Sequence, residues 1–367
     1  MSKANTERNA KTPRRHAGFT LLETLVALVV LLAVSGIVMA GMMQLMRTQG
    51  TIANRTEMHT SVRSATELLQ QEIGQAGMVS LPVDPVTGLT IPLHMTTQVA
   101  LPVPDVPWTQ PVSLSSVANI FNGEQLVVDT GINQETVTVI CGNPCTNPIT
   151  ATFNYNHTGG APGNPVTAQG AFATGIVPPA TICLGVPCGS TGTVLKLYGD
   201  INGDGNIRYV EYTCDPTNNL GLGPVLLRNQ MKYDAVLKAT LDPSKVLLSN
   251  LLTNPPDQNG NPVPCFTYQT RTVLTNTGLD TFVTGVAVTL TEQTQNRDPQ
   301  TNQFQSETKA LLNVSPRNVF NAWELANAEL TDRVQTMPPS VSNLAPQPSV
   351  VGQSGSMGQT GLGLMGQ

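Results

Sequence analysis

One apolar run sets the start of this chain apart from everything after it. No charged residue occurs between Leu25 and Met43, and about 20 such residues cross the hydrocarbon core of a bilayer as a helix. After Arg47 the pattern turns amphipathic. Ile52, Val62, Ala65, Leu68, Leu69 and Ile73 recur at helical spacing, with Glu72 among them. No proline interrupts residues 14–81, and Gly74 and Gly77 then precede Pro82, a helix-ending sequence. The spacing predicts one long helix over residues 19–77, apolar enough to anchor in a membrane over 21–46 and amphipathic over 47–77.

Beyond the helix the period changes from helical to two. Residues 80–116 are rich in Pro and Thr and read as irregular structure with short strands. Gln125–Asp129 and Glu135–Ile140 flank a turn at Gly131, and the second alternates Thr with Val, the pattern of a half-buried strand. Ile149–Tyr155 reads as a third strand. The block 117–177 resembles the small β-modules of surface proteins and is expected to be an insertion. A hairpin is predicted within 191–233, from strands at Thr193–Tyr198 and Ile207–Thr213. Further strands are expected at Cys265–Leu274, Gly285–Thr291 and Gln305–Val314, and a short helix at Phe320–Val334. The fold class is α+β, a long N-terminal helix packed on an antiparallel β-sheet head over 78–337. The tail 338–367 is uncharged and rich in Gly, Ser, Gln and Pro, and disorder is expected there.

Composition agrees with this reading. Charged residues make up only 12% and aromatics 4%, which suits strands and turns better than a helical bundle. The net charge is −5 and no long basic run occurs, so no nucleic-acid groove is indicated.

Before the apolar run lie Lys3, Arg8, Lys11, Arg14 and Arg15 against the single acid Glu7. This basic flank predicts a cytoplasmic N-terminus, with the head outside the inner membrane. A secretory signal would be shorter and cut after its apolar stretch, and an ordinary anchor leaves Glu23 unexplained, since a carboxylate at the start of an apolar helix is costly and functional by default.

Gly18-Phe19-Thr20-Leu21-Leu22-Glu23 resembles the processing signal of type IV prepilins. The resemblance implies that residues 1–18 are a leader. A membrane prepilin peptidase would cut between Gly18 and Phe19 and N-methylate Phe19. It also implies that Glu23 sets subunit register by meeting the terminal ammonium of a neighbour, which satisfies both charges in an apolar setting. The segment Glu67–Gly77, the Leu226-Leu227-Arg228 stretch and Ser315–Asn318 are similar to PilW-like minor pilins. The partners implied are other pilins of the filament, the peptidase and the inner-membrane assembly platform. Localisation would be single-pass in the inner membrane and then in a fibre on the cell surface.

The six cysteines, Cys141, Cys145, Cys183, Cys188, Cys214 and Cys265, all follow the apolar run. Outside the cytosol an even number is compatible with disulfides, and metal binding or free thiols are the alternatives. Two local bridges, Cys141–Cys145 and Cys183–Cys188, and a longer Cys214–Cys265 link are expected. Asp200, Asn202, Asp204, Asn206 and Glu211 stand at the spacing of an EF-hand-type calcium loop, with Gly205 at the sharp turn. The flanks read as strands, so a polar hairpin turn explains the same residues.

No catalytic constellation stands out. His16 precedes the apolar run and His59 lies on the amphipathic helix, while His94 and His157 read as solvated loop residues. The chain is therefore read as a structural subunit, not an enzyme. The expectation is a minor pilin supporting pilus assembly, adhesion, motility or DNA uptake. A pseudopilin of type II secretion and a calcium-dependent adhesive module on a pilin anchor are the alternatives.

Overall fold

The computed structural model describes residues 20–80, 92–104, 106–168, 170–183, 185–235, 237–238, 240–275 and 278–343. The leader, Phe19 and residues 344–367 lie outside the described residues.

A single helix, α1, runs from Leu21 to Gln75. Thr20 caps it: the Glu23 N–H donates to the Thr20 hydroxyl at 3.3 Å, and the Thr20 N–H donates back to the Glu23 carboxylate at 3.5 Å. The helix ends where its backbone meets the head. Gly77 has φ +81° and donates its N–H to the Tyr198 carbonyl at 2.9 Å. A Cβ at Gly175 would lie 2.2 Å from the Gly77 Cα, so only glycine permits that approach.

Six strands follow: β1 Leu93–His94, β2 Trp108–Val112, β3 Gln125–Val128, β4 Glu135–Thr138, β5 Ile149–Phe153 and β6 Pro165–Ala168. They form a sheet in the order β1-β6-β3-β4 and a β2–β5 ribbon. Their inward faces share one core, from Leu93 through Leu126 and Ile149 to Val166. This core reaches back to Leu93, upstream of the expected start at 117, because β1 pairs with β6 across the module.

The head proper has two sheets. The strands β7 Val194–Gly199, β8 Arg208–Asp215, β9 Val225–Lys232 and β10 Val246–Ser249 form an antiparallel meander. The second sheet contains β11 Leu251–Leu252, β12 Phe266–Thr275, β13 Gly278–Gln293 and β14 Ser306–Val314, with β13 paired to the other three. α1 packs over both. Ala65, Leu69, Ile73 and Ala76 share a core with Leu195, Val210 and Leu226 of the first sheet and Val286, Val288 and Leu290 of the second. This is the α+β class: a long N-terminal helix followed by an antiparallel β-sheet head.

A second helix, α2 Arg317–Asn327, begins earlier and ends sooner than expected. It buries Val319, Ala322 and Ala326 against Phe282 of β13. Helix formation stops there, and Val334–Gln335 pairs instead with Ala171–Phe172. The tail reading also needs correction at its start. Pro339–Asn343 is a short helix, α3, and Val341 is buried beside Phe172 and Tyr198. Ordered packing therefore continues past residue 337, because this aromatic cluster needs a lid.

Candidate functional site: the N-terminal helix and its attachment to the head

α1 has two environments. From Leu21 to Met46 its large apolar side chains are exposed, among them Leu32 at 63% and Met46 at 67%. Among the described residues this helix alone is long and apolar enough to cross a membrane. Glu23, at its start, touches only its own capping box among the described residues. The carboxylate is thus left at an open helix end rather than folded into the head.

Contact with the head begins at Thr48, whose hydroxyl accepts from the Gln300 side chain at 3.1 Å. Thr51 donates to Asp298 at 2.7 Å, and Arg55 reaches Gln305. A Cβ on Gly50 would meet the Pro299 ring at 2.9 Å, so the small residue admits the β13–β14 loop against the helix. Further along, Met58, Val62, Ala65, Leu69 and Ile73 form the buried stripe that helical periodicity predicts.

Glu72 lies on that same stripe and is 4% exposed. Its carboxylate receives the Arg228 Nε–H at 3.1 Å on each oxygen, a second guanidinium N–H at 2.5 Å, and the Tyr212 hydroxyl at 2.5 Å. Burial works against the Arg228 charge, but the hydrogen bonds and charge of Glu72 outweigh it and raise the guanidinium further. Burial, and then Glu72, push the Tyr212 phenol well above its ordinary range. α1, β8 and β9 are tied at one point by a compensated buried charge. The sequence reading did not single out this site. Its signal was a carboxylate at a core position of a helix, which demands a partner.

A second buried polar cluster lies in the β1–β6 module. His157 is 2% exposed, not solvated as expected. Its Nε2 lies 2.7 Å from Glu135 and its Nδ1 3.3 Å from Asp129, and its ring packs edge-on against Phe153. Backbone bonds between Val99 and His157 draw it inside. Burial pushes the Glu135 carboxyl up, but hydrogen bonds from His157, Asn154 and Tyr155 outweigh it and hold it below the usual range. The His157 side chain is fully enclosed between these carboxylates, so the cluster braces the module. His94 lies in β1, half-buried, rather than in a loop.

The six cysteines form three bridges, Cys141–Cys145, Cys183–Cys188 and Cys214–Cys265, with Cα separations of 5.3, 5.6 and 6.4 Å. Cys214 and Cys265 lie in the core that α1 covers.

The calcium-type spacing folds as a hairpin turn between β7 and β8. Asp200 is 2% exposed, and its two oxygens accept the N–H groups of Asp204 at 3.0 Å and Gly205 at 2.9 Å. Burial raises the Asp200 carboxyl, with those amides opposing. Asp204 accepts from the Asn206 N–H at 3.0 Å and from the Arg208 guanidinium at 2.5 Å. These bonds outweigh its burial and lower its carboxyl. Asn202 and Asn206 are exposed. Glu211 is not brought to the loop: it accepts from Lys238 at 2.6 Å and Tyr209 at 2.9 Å. Among the described residues no group of three or more His, Cys, Asp or Glu is placed to hold a metal.

Residues 13–42 match the family model described as the prokaryotic N-terminal methylation motif. The match spans Arg14 and Arg15 at the end of the basic flank, Gly18–Glu23 and most of the exposed half of α1. It supports a prepilin-type protein, pilin-like or pseudopilin, anchored by one pass through the membrane. No curated protein and no solved structure matches the chain.

Proposed function

We propose that this chain is a minor pilin, a structural subunit that enters a type IV pilus through α1 after its leader is removed. The observation that carries the reading is the methylation motif on a helix whose first half is exposed and, after Glu23, apolar, and whose second half is built into the head. An exposed apolar helix of this length needs lipid or other helices around it. In this reading Gly18–Phe19 is the cleaved bond and Phe19 is N-methylated. Glu23 meets the new ammonium of a neighbouring subunit, and the β-rich head with its β1–β6 module faces outward. The partners are other pilins, the prepilin peptidase and the inner-membrane assembly platform. The PilW-like assignment belongs to this proposal and rests on short segments alone.

A pseudopilin of a type II secretion filament would use the same motif and the same helix, so one experiment decides between them. Deletion of the gene is scored for surface pili by electron microscopy and for secreted enzymes in the medium. Loss of pili with normal secretion supports the minor pilin, and the reverse result replaces it with the pseudopilin. N-terminal sequencing of membrane-extracted protein comes first. The expected terminus is methylated Phe19, and a terminus after Ala40 or later would overturn both filament readings. Glu23→Val is expected to leave the protein in the membrane and to impair its entry into filaments.

The calcium-dependent adhesive reading rests on the spacing of residues 200–211, whose carboxylates all have partners within the chain. We give the ion no part in assembly.

A further inference from the structure

Three buried carboxylates sit along the contact between α1 and the head, and they are treated differently. Asp298 accepts from the Gln300 N–H and the Thr51 hydroxyl, which hold its carboxyl below the usual range, so it stays ionised from pH 5 upwards. Glu72 is neutralised by Arg228. Glu292, on β13, is 5% exposed and stands directly opposite Glu307 on β14 in the strand register. Like charges placed opposite each other on neighbouring strands repel.

α1 lies across this pair. The Ser61 hydroxyl reaches both Glu292 oxygens, at 2.7 and 3.0 Å. His59 Nδ1 contacts Glu307, and Glu57 adds a third carboxyl to the field at Glu292. Apart from Glu57 and Glu292, the residues lining the cavity at Glu292, about 90 Å³, come from α1 and from 247–250 and 293–295, and all are uncharged. Among the described residues no Lys or Arg pairs with Glu57, Glu292 or Glu307.

We propose that this contact is an acid-strengthened latch, which fastens the membrane-proximal part of the docked helix, residues 48–62, to the β13–β14 hairpin and loosens as the pH rises. The direction follows from which state holds the proton. Burial, opposed by the Ser61 hydrogen bond and reinforced by Glu307 and Glu57, pushes docked Glu292 up to about 7 from the ordinary 4.5. Undocked, it returns to water and to the ordinary value. The stabilisation of the docked state is therefore complete below about pH 4.5, is lost progressively towards pH 7 and changes little above it. The Glu72 end, with its charge matched, stays fastened, so the anchor pivots about the Arg228 clamp.

The test is hydrogen exchange on the full chain in detergent micelles at pH 5 and pH 8, with rates corrected for intrinsic chemical exchange. Segment 52–62 is expected to lose protection by roughly 50- to 100-fold at pH 8, because a carboxyl moved from 4.5 to about 7 carries nearly two pKa units of linkage between pH 5 and pH 8, while segment 69–76 keeps its protection. Glu292→Gln should hold 52–62 protected at both pH values. Glu307→Gln, which removes the facing charge and keeps Glu292, should shrink the pH dependence. Equal protection of 52–62 at both pH values in the wild type, or an undiminished dependence in both variants, would overturn the latch.

Discussion

Leu32 and Leu69 stand on the same uninterrupted helix, yet one is 63% exposed and the other 0%. The first belongs to a run apolar on every side, which suits lipid or helix neighbours. The second belongs to a stripe on one side of the helix, and that stripe meets both sheets of the head. The polar groups differ in the same way. Glu23 is left at an open helix end, whereas Glu72 is enclosed with an arginine and a tyrosine. One helix thus presents a free apolar surface in its first half and serves as a core strut in its second. The change falls near Thr48, where the β13–β14 loop first touches it.

The largest effect on this contrast is expected from Arg228→Ala. It leaves the Glu72 carboxylate buried without its partner, which costs roughly 3–5 kcal/mol in comparable sites. Chemical denaturation of the detergent-solubilised chain, followed by tryptophan fluorescence, measures it. A joint replacement of Glu72 and Arg228 by methionine should recover most of the loss, and failure to recover would mean the pair does more than compensate charge.

A matched pair of truncations compares the two halves directly. Leu69→Ala opens space in the shared core and should destabilise the head by about 2–5 kcal/mol. Leu32→Ala removes the same atoms from a position with no head contact and should change head stability by less than about 0.5 kcal/mol. Similar losses from both would dissolve the distinction. The Cys214–Cys265 bridge lies in the same core as Leu69, and replacing both cysteines by serine should cost about 2–4 kcal/mol.

The smallest effect concerns the turn at residues 200–206, whose Ile201 packs in the core that α1 covers but whose polar residues lie outside it. Thermal melts in millimolar calcium and in chelator are expected to coincide, because the Asp200 oxygens already accept backbone amides. A rise in calcium that Asp204→Ala abolishes would return the ion to this loop.

The sequence made some of this legible because the signals are local. A charge-free run long enough for a bilayer, a basic flank and the Gly18–Glu23 motif need no tertiary context. The amphipathic stripe followed from spacing alone, as did the alternation in β4 and β13. The spacing of Asp200 to Glu211 was equally visible, but spacing alone does not make an ion site. It fixes which residue types recur and not where a strand side chain turns, and Lys238 claims Glu211 from outside the motif.

His157 shows the same limit from the other side. Its neighbours in sequence read as a loop, and only the approach of Asp129 and Glu135 makes it a buried brace. Glu72 is the intermediate case: its position on the stripe announced a buried carboxylate, but Arg228 and Tyr212 lie 156 and 140 residues away. By itself, then, the sequence determined the anchor, its processing motif and the α+β class, because these depend on short-range pattern and on the surrounding solvent. Which carboxylates are matched, which are left facing one another, and where the helix passes from its exposed half onto the head were decided by the packing of distant strands. Electrostatic compensation acts over a few ångströms of space and takes no account of separation along the chain.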